Sequence, residues 1–191
     1  MGKVIYDVSM SLDGFITAAN VRPEAGLGDG GERLHEWAFN PGDPRSREIV
    51  EGAVSTGATI VGRVTYDLSI RYWGADGPVG AARVPTVVVS HSVPQDIPEG
   101  SVYTFVDSIE AAYETAQKLA GDKDVSFAGA NIGQQFLKLG LIDELSLHVV
   151  PVVFGSGTPL FGDLDSKHVS LEPIEVIETK EVIHLRFRVV K

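Results

Sequence analysis

The chain has 191 residues, 43% of them hydrophobic and 22% charged, with a mean hydropathy of +0.08, which suits one globular domain with a sizeable core. It contains no cysteine, which excludes disulfides, thiolate metal sites, iron–sulfur clusters and cysteine nucleophiles and fits a reducing compartment. A formal net charge of −10 argues against a general nucleic-acid or anionic-membrane surface, while a few arginines and backbone N–H groups could still hold one small anion.

No signal-peptide pattern follows Met1, and no apolar run approaches the roughly 20 residues that span a bilayer. A cytoplasmic protein with a single domain over residues 1–191 is therefore expected. Residues 3–9 read as a first strand, and 44–56 carry helical spacing through Ile49, Val50 and Val54. A short apolar strand at 58–61 runs into Gly62-Arg63 and a short helix at 65–70. The β-branched run Val87-Val88-Val89 marks residues 85–90 as a strand buried on both faces. After a strand at 102–106, Asp107 with Glu110 three residues on forms a capping-box pattern for a helix ending near Gly121. A strand at 125–128 and a helix at 132–139 follow, with Gly140 as the stop. The tail changes character, with strands at 144–153, 169–177 and 181–190 and less helix between them. In the last of these, Ile183, Leu185, Phe187 and Val189 alternate with His184, Arg186 and Arg188, as in a half-exposed antiparallel strand. The class is α/β: a mixed, mostly parallel central sheet flanked by helices, with antiparallel strands at the C-terminus. Residues 18–31, rich in Gly, Pro and acids, form the loosest stretch.

Three glycine segments compete as ligand loops. Gly26-Leu27-Gly28-Asp29-Gly30-Gly31 satisfies G-x-G-x-x-G, but a polar segment with Asn20, Arg22 and Pro23 precedes it instead of a buried strand, and a dinucleotide loop needs that strand. It reads as a flexible loop. At Phe127-Ala128-Gly129-Ala130-Asn131-Ile132-Gly133 a buried strand feeds a tight turn and a helix begins at once, which presents unpaired N–H groups to an anion. On this segment alone a phosphate cradle and a plain connection, with Gly133 serving helix packing, both stand. Gly62-Arg63-Val64-Thr65 and Ser90-His91-Ser92 also close strands. The first brings a guanidinium fork and a hydroxyl, the second small hydroxyls. Three such strand ends in one sheet suggest a nucleotide across the strands' carboxyl ends.

These residues resemble a known pattern. Val8-Ser9-Met10-Ser11-Leu12-Asp13-Gly14-Phe15-Ile16 resembles the opening of the dihydrofolate-reductase-like superfamily, in its riboflavin-biosynthesis reductase branch. Gly62-Arg63-x-Thr65-Tyr66 resembles its cofactor-phosphate motif. Gly140-Leu141-Ile142-Asp143-Glu144-Leu145 with Pro151-Val152-Val153-Phe154-Gly155-x-Gly157-x-Pro159-Leu160-Phe161 is most specific to that branch. The resemblance implies NADPH as hydride donor, with Gly62, Arg63 and Thr65 on cofactor phosphates and Ser90 and His91 near the adenosine ribose and its 2′-phosphate. It further implies Gly129, Ala130, Asn131, Ile132 and Gly133 around the pyrophosphate and nicotinamide, and Gly157, Leu160 and Phe161 bordering the substrate. It allows a homodimer through the late β region. The family commonly has two adjacent glycines where this chain has Gly129-Ala130. No zinc-deaminase signature is present, so a stand-alone reductase domain is expected.

The implied activity is an NADPH-dependent reduction of a small pyrimidine, pterin or flavin-related heterocycle, resembling 5-amino-6-(5-phosphoribosylamino)uracil reductase. The alternatives are dihydrofolate reduction and a nucleotide-binding protein without turnover. Hydride transfer needs positioning, exclusion of water and at most a proton donor. Asp13 is the first catalytic candidate, although Asp-Gly is also an ordinary turn pair. Glu36, on a short predicted helix with His35 and Trp37, is the second, and Trp37 could wall the substrate pocket. His148 and His184 read as packed or solvated. The five histidines show no metal-ligand spacing, so no metal is expected.

Overall fold

The computed structural model describes residues 1–191 except 163, 166 and 167. Among the described residues the strands are β1 (Val4–Ser11), β2 (Ala58–Gly62), β3 (Thr86–Val89), β4 (Tyr103–Val106), β5 (Val125–Phe127), β6 (Glu144–Val150), β7 (Leu171–Glu178) and β8 (Ile183–Val189). The helices are α1 (Glu36–Phe39), α2 (Pro44–Val54), α3 (Arg63–Trp73), α4 (Ile109–Ala120) and α5 (Ala130–Lys138). The strands form one sheet in the order β4-β3-β2-β5-β1-β6-β8-β7. The first six are mutually parallel, and β8 and β7 join antiparallel at one end. This is the expected mixed sheet with antiparallel strands at the C-terminus.

Alternation along β1 divides the two layers. Val4, Tyr6 and Val8 pack with Ile60, Val87 and Phe127 beneath Ala112 and Ala116 of α4 and Ile132 and Phe136 of α5. On the opposite face Tyr66 of α3 packs on Val61 and Val88, and Trp37 of α1 packs with Leu34, Val150 and Val182. The chain thus leaves β2 toward one face and its neighbour β5 toward the other. Adjacent parallel strands with connections to opposite faces open a crevice at their carboxyl ends.

Several boundaries differ from those expected. Helix α4 is capped by Ser108, whose Oγ accepts from the Ala111 N–H at 3.2 Å, and not by Asp107. Helix α3 starts at Arg63 and α5 at Ala130, each two residues before its expected start. In β8 the expected alternation fails at its start, where His184 is buried and Ile183 exposed, because a buried polar cluster lies beneath this end of the sheet. Edge strand β7 carries Pro173 and a bulge between Pro173 and Glu175, both devices that blunt an exposed edge. No helix among the described residues is long and apolar enough to cross a membrane.

Candidate functional site

The helix starts differ in a way that bears on ligands. The Asp43 side chain caps α2 and the Ser108 side chain caps α4, whereas α3 and α5 begin at Gly62 and Gly129 with no side-chain cap. These two uncapped N-termini follow the adjacent strands β2 and β5. Their unpaired N–H groups and positive dipole ends are suited to an anion. The two turns touch: a Cβ built on Gly129 would lie 3.5 Å from Thr65 Oγ1, and one on Gly62 3.2 Å from Ile132 Cγ1. Gly129 carries the left-handed φ of 105°, and its carbonyl accepts from the Tyr6 hydroxyl at 3.1 Å. Ala130 sits buried inside the first turn of α5 with no positive φ, so its methyl, in place of a second glycine, imposes no backbone strain.

Arg63 joins β2 to β3. Its Nε donates to both Asp67 oxygens at 2.8 and 2.9 Å, and Nη1 reaches Ser90 Oγ at 3.1 Å and the Ser92 carbonyl at 2.8 Å. Nη2 has no partner among the described residues. The guanidinium is therefore pre-positioned at the strand ends with one edge free, although Asp67 offsets part of its charge. Gly62, Arg63, Thr65, Ser90, Gly129 and Ala130 thus come together. Asn131 and His91 are exposed, and neither is hydrogen-bonded to Arg63 among the described residues.

Other candidates from the sequence take structural jobs. Gly133 is buried against β1, where a Cβ would fall 2.2 Å from the Tyr6 ring, so packing and not ligand approach explains it. Ile132 belongs to the core. Leu160 is fully buried, its N–H donating to Gly14 O at 2.8 Å, which removes it from any substrate wall. Gly157 has a φ of 148°, and a Cβ there would stand 1.9 Å from Thr17 O. Phe161 remains partly exposed. Trp37 is likewise buried, donating from Nε1 to Ser9 Oγ at 3.1 Å, and serves as core. Glu36 is exposed at the start of α1 with no side-chain hydrogen bond among the described residues.

Asp13 is committed to holding a turn. It accepts from Ser11 Oγ at 2.6 Å, from the Phe154 N–H at 3.1 Å and from the Gly155 N–H at 2.7 Å. The Ser11 hydroxyl and these backbone N–H groups hold its carboxyl below the usual carboxylate range. A carboxylate so supplied with donors is a poor proton donor at neutral pH, so the structure gives Asp13 a turn-holding role. Asp13→Asn would place an amide NH2 against one of these donors. It is expected to lower the melting temperature and speed proteolytic cleavage between residues 153 and 162; unchanged melting and cleavage would refute the turn role.

Sequence reasoning missed a buried polar chain on the α2 face. Asp7 Oδ1 lies 3.3 Å from His148 Nε2, His148 Nδ1 lies 2.8 Å from His184 Nδ1, and His184 Nε2 lies 3.2 Å from Ser46 Oγ. The signal was Asp7, a charged residue inside strand β1, but its partners come from three distant elements. Among the described residues no group of three His, Cys, Asp or Glu could hold a metal ion.

Together these features define a doubly wound α/β protein with an anion-receptive crevice at its topological switch point. A family model described as the RibD C-terminal domain matches residues 2–185, and the chain belongs to that family. It is 31% identical over 166 residues to the uncharacterized protein YwjB of Bacillus subtilis (strain 168), covering 86% of each chain. Among solved structures it is similar to a pyrimidine reductase-like protein from Corynebacterium diphtheriae, with a TM-score of 0.66, 16% identity and coverage of 100% of this chain and 92% of that one. It is also similar to the riboflavin biosynthesis reductase Rib7 of Saccharomyces cerevisiae, with a TM-score of 0.61, 16% identity and coverage of 99% and 90%. At these identities the two structures speak to the fold, which is the one the sequence resemblance implies.

Proposed function

We propose that the chain is an NADPH-dependent reductase acting on a small heterocycle of the pyrimidine, pterin or flavin-related kind. One observation carries this reading: helices α3 and α5 start side by side, uncapped, beside the free edge of Arg63. A dinucleotide needs such a place for its phosphates. The residues fit the cofactor, because two neighbouring helix starts without side-chain caps keep N–H groups available for a pyrophosphate. The N–H groups at the start of α5 would hold that pyrophosphate. Arg63, Thr65 and Ser90 would take the remaining phosphate charge, and bound NADPH would supply the hydride. The name of one structural neighbour, a pyrimidine reductase-like protein, supports the substrate class.

Arg63→Ala should weaken NADPH binding about tenfold more than NADH binding, read by tryptophan fluorescence or thermal shift; tenfold corresponds to about 1.4 kcal/mol. Equal loss for both would move Arg63 from the 2′-phosphate to the pyrophosphate. No response of the unmodified chain to either cofactor at millimolar concentration would overturn the reading. NADPH oxidation across a panel of pterins, flavins and pyrimidines separates turnover from binding alone.

A further inference from the structure

A sheet face beneath a helix is ordinarily apolar, and the face under α2 is not. The strand register sets Asp7, Ser146, Arg186 and Glu175 side by side across β1, β6, β8 and β7, with His148 and His184 paired in the row beyond. Helix α2 covers this face incompletely. Past Ser46 and Ile49 it presents Gly52 and Ala53, and a cavity of about 610 Å³ remains between it and the sheet, lined also by Ser126 and Thr56. That volume suits a small organic ligand.

The charges on its walls are unequally committed. Arg186 gives Nε and Nη2 to Glu144 at 2.6 Å, and Arg45 holds Asp43 through Nη2 at 2.8 Å. Asp7, one-third exposed at 33% of its side chain and on the cavity wall, has the His148 ring as its hydrogen-bonding partner. Burial alone would push its carboxyl up, but His148, Ser146 and Arg186 outweigh burial and keep it below the usual range.

The histidine chain behind Asp7 has a direction. Two Nδ1 atoms 2.8 Å apart can share only one hydrogen, so both rings cannot be imidazolium while this contact lasts. With both rings neutral, only one arrangement lets His148 donate to Asp7: Ser46 Oγ–H to His184 Nε2, His184 Nδ1–H to His148 Nδ1, and His148 Nε2–H to the carboxylate. Trp37 packs against both rings, at 4.6 and 4.8 Å between centroids. The carboxylate is thus held in place from behind and keeps lone pairs for the cavity side.

We infer that this cavity binds a small planar organic cation, an amidinium or guanidinium group, through paired N–H donors on the Asp7 carboxylate. Paired donors on one carboxylate are the strong, geometrically specific case, and the lack of a metal-holding cluster among the described residues favours an organic cation over a metal ion. The cavity lining includes none of Gly62, Arg63, Thr65, Ser90 and Gly129, so binding here stands or falls separately from the reductase activity.

The test is an NMR titration of the full chain with benzamidine, with benzamide and benzoate as neutral and anionic isosteres. Benzamidine should shift the amide resonances of Asp7, Ser146 and Gly52 and bind about tenfold more tightly than benzamide. Asp7→Asn, which can still accept from His148, should cost about tenfold in affinity. Ala53→Trp, on the exposed cavity wall and away from the histidines, should abolish binding while leaving the fold intact. Equal binding of benzamide or benzoate, or undiminished benzamidine binding in Ala53→Trp, would overturn the inference even if the Asp7 variant failed to fold.

Discussion

Gly133→Ala should destabilise the chain by about 3 kcal/mol, the upper range for overpacking a core, and lower its melting temperature by roughly 6–12 °C for a chain of this length. The added Cβ would fall 2.2 Å from Tyr6 Cζ and 2.4 Å from the Tyr6 hydroxyl. The ring cannot swing aside. It stacks on Phe127 with centroids 4.7 Å apart and planes 7° apart, it is fully buried, and its hydroxyl is tied to the Gly129 carbonyl. Helix α5 must therefore lift from β1, which would also move the uncapped start of α5 at the crevice. Tyr6→Leu carries its own packing cost but removes the clash. In the double variant, Gly133→Ala should then cost at least about 1 kcal/mol less than it does alone, a coupling of the size found between touching residues. Additive losses, or an unchanged melting temperature in Gly133→Ala, would show that Gly133 does not serve packing.

That glycine shows what could be read from the sequence. The crevice was legible because its signals are local: a strand, a glycine and a helix start occupy consecutive residues at Gly62 and at Gly129, and the strand-to-helix chemistry needs nothing from elsewhere. The apolar runs of β2, β3 and β5 were legible for the same reason. What stayed hidden depends on partners far along the chain. Gly133 meets Tyr6, which lies 127 positions away, and so looked like a ligand-facing glycine. Leu160 and Trp37, read as pocket walls, are buried in the core. Asp13 read as a catalytic candidate or a turn residue, and the donors that hold it in the turn, the Phe154 and Gly155 N–H groups, come from far along the chain. His148 and His184 looked unconnected because nothing in one strand names the residue facing it in the next, and register is set by the whole sheet.

His184 should make stability depend on pH in a window separate from that of the carboxylates. Burial, and then repulsion from His148, lower His184 from its ordinary 6.5 to about 4; Asp7 and Asp43 pull the other way and Arg45 adds to the lowering. A base with a depressed folded value must stay neutral in the native state, while the unfolded chain takes up its proton below 6.5. The unfolded chain therefore binds more protons between about pH 6.5 and 4, so stability rises with pH across that interval and is lost as pH falls through it. The full effect is up to about 3 kcal/mol. His35, also lowered by burial and by His148, acts in the same direction. Asp43, held at about 2 chiefly by Arg45, contributes stability that disappears only below about pH 4. Urea unfolding of the native chain and of His184→Gln between about pH 7 and pH 4 isolates the difference. The variant should be less stable at neutral pH, because Ser46 and His148 lose a ring partner. It should also show a visibly flatter slope, so that the two curves converge as pH falls. Parallel curves would mean that His184 already carries its proton in the native state and that the Ser46–His184–His148–Asp7 chain is arranged otherwise.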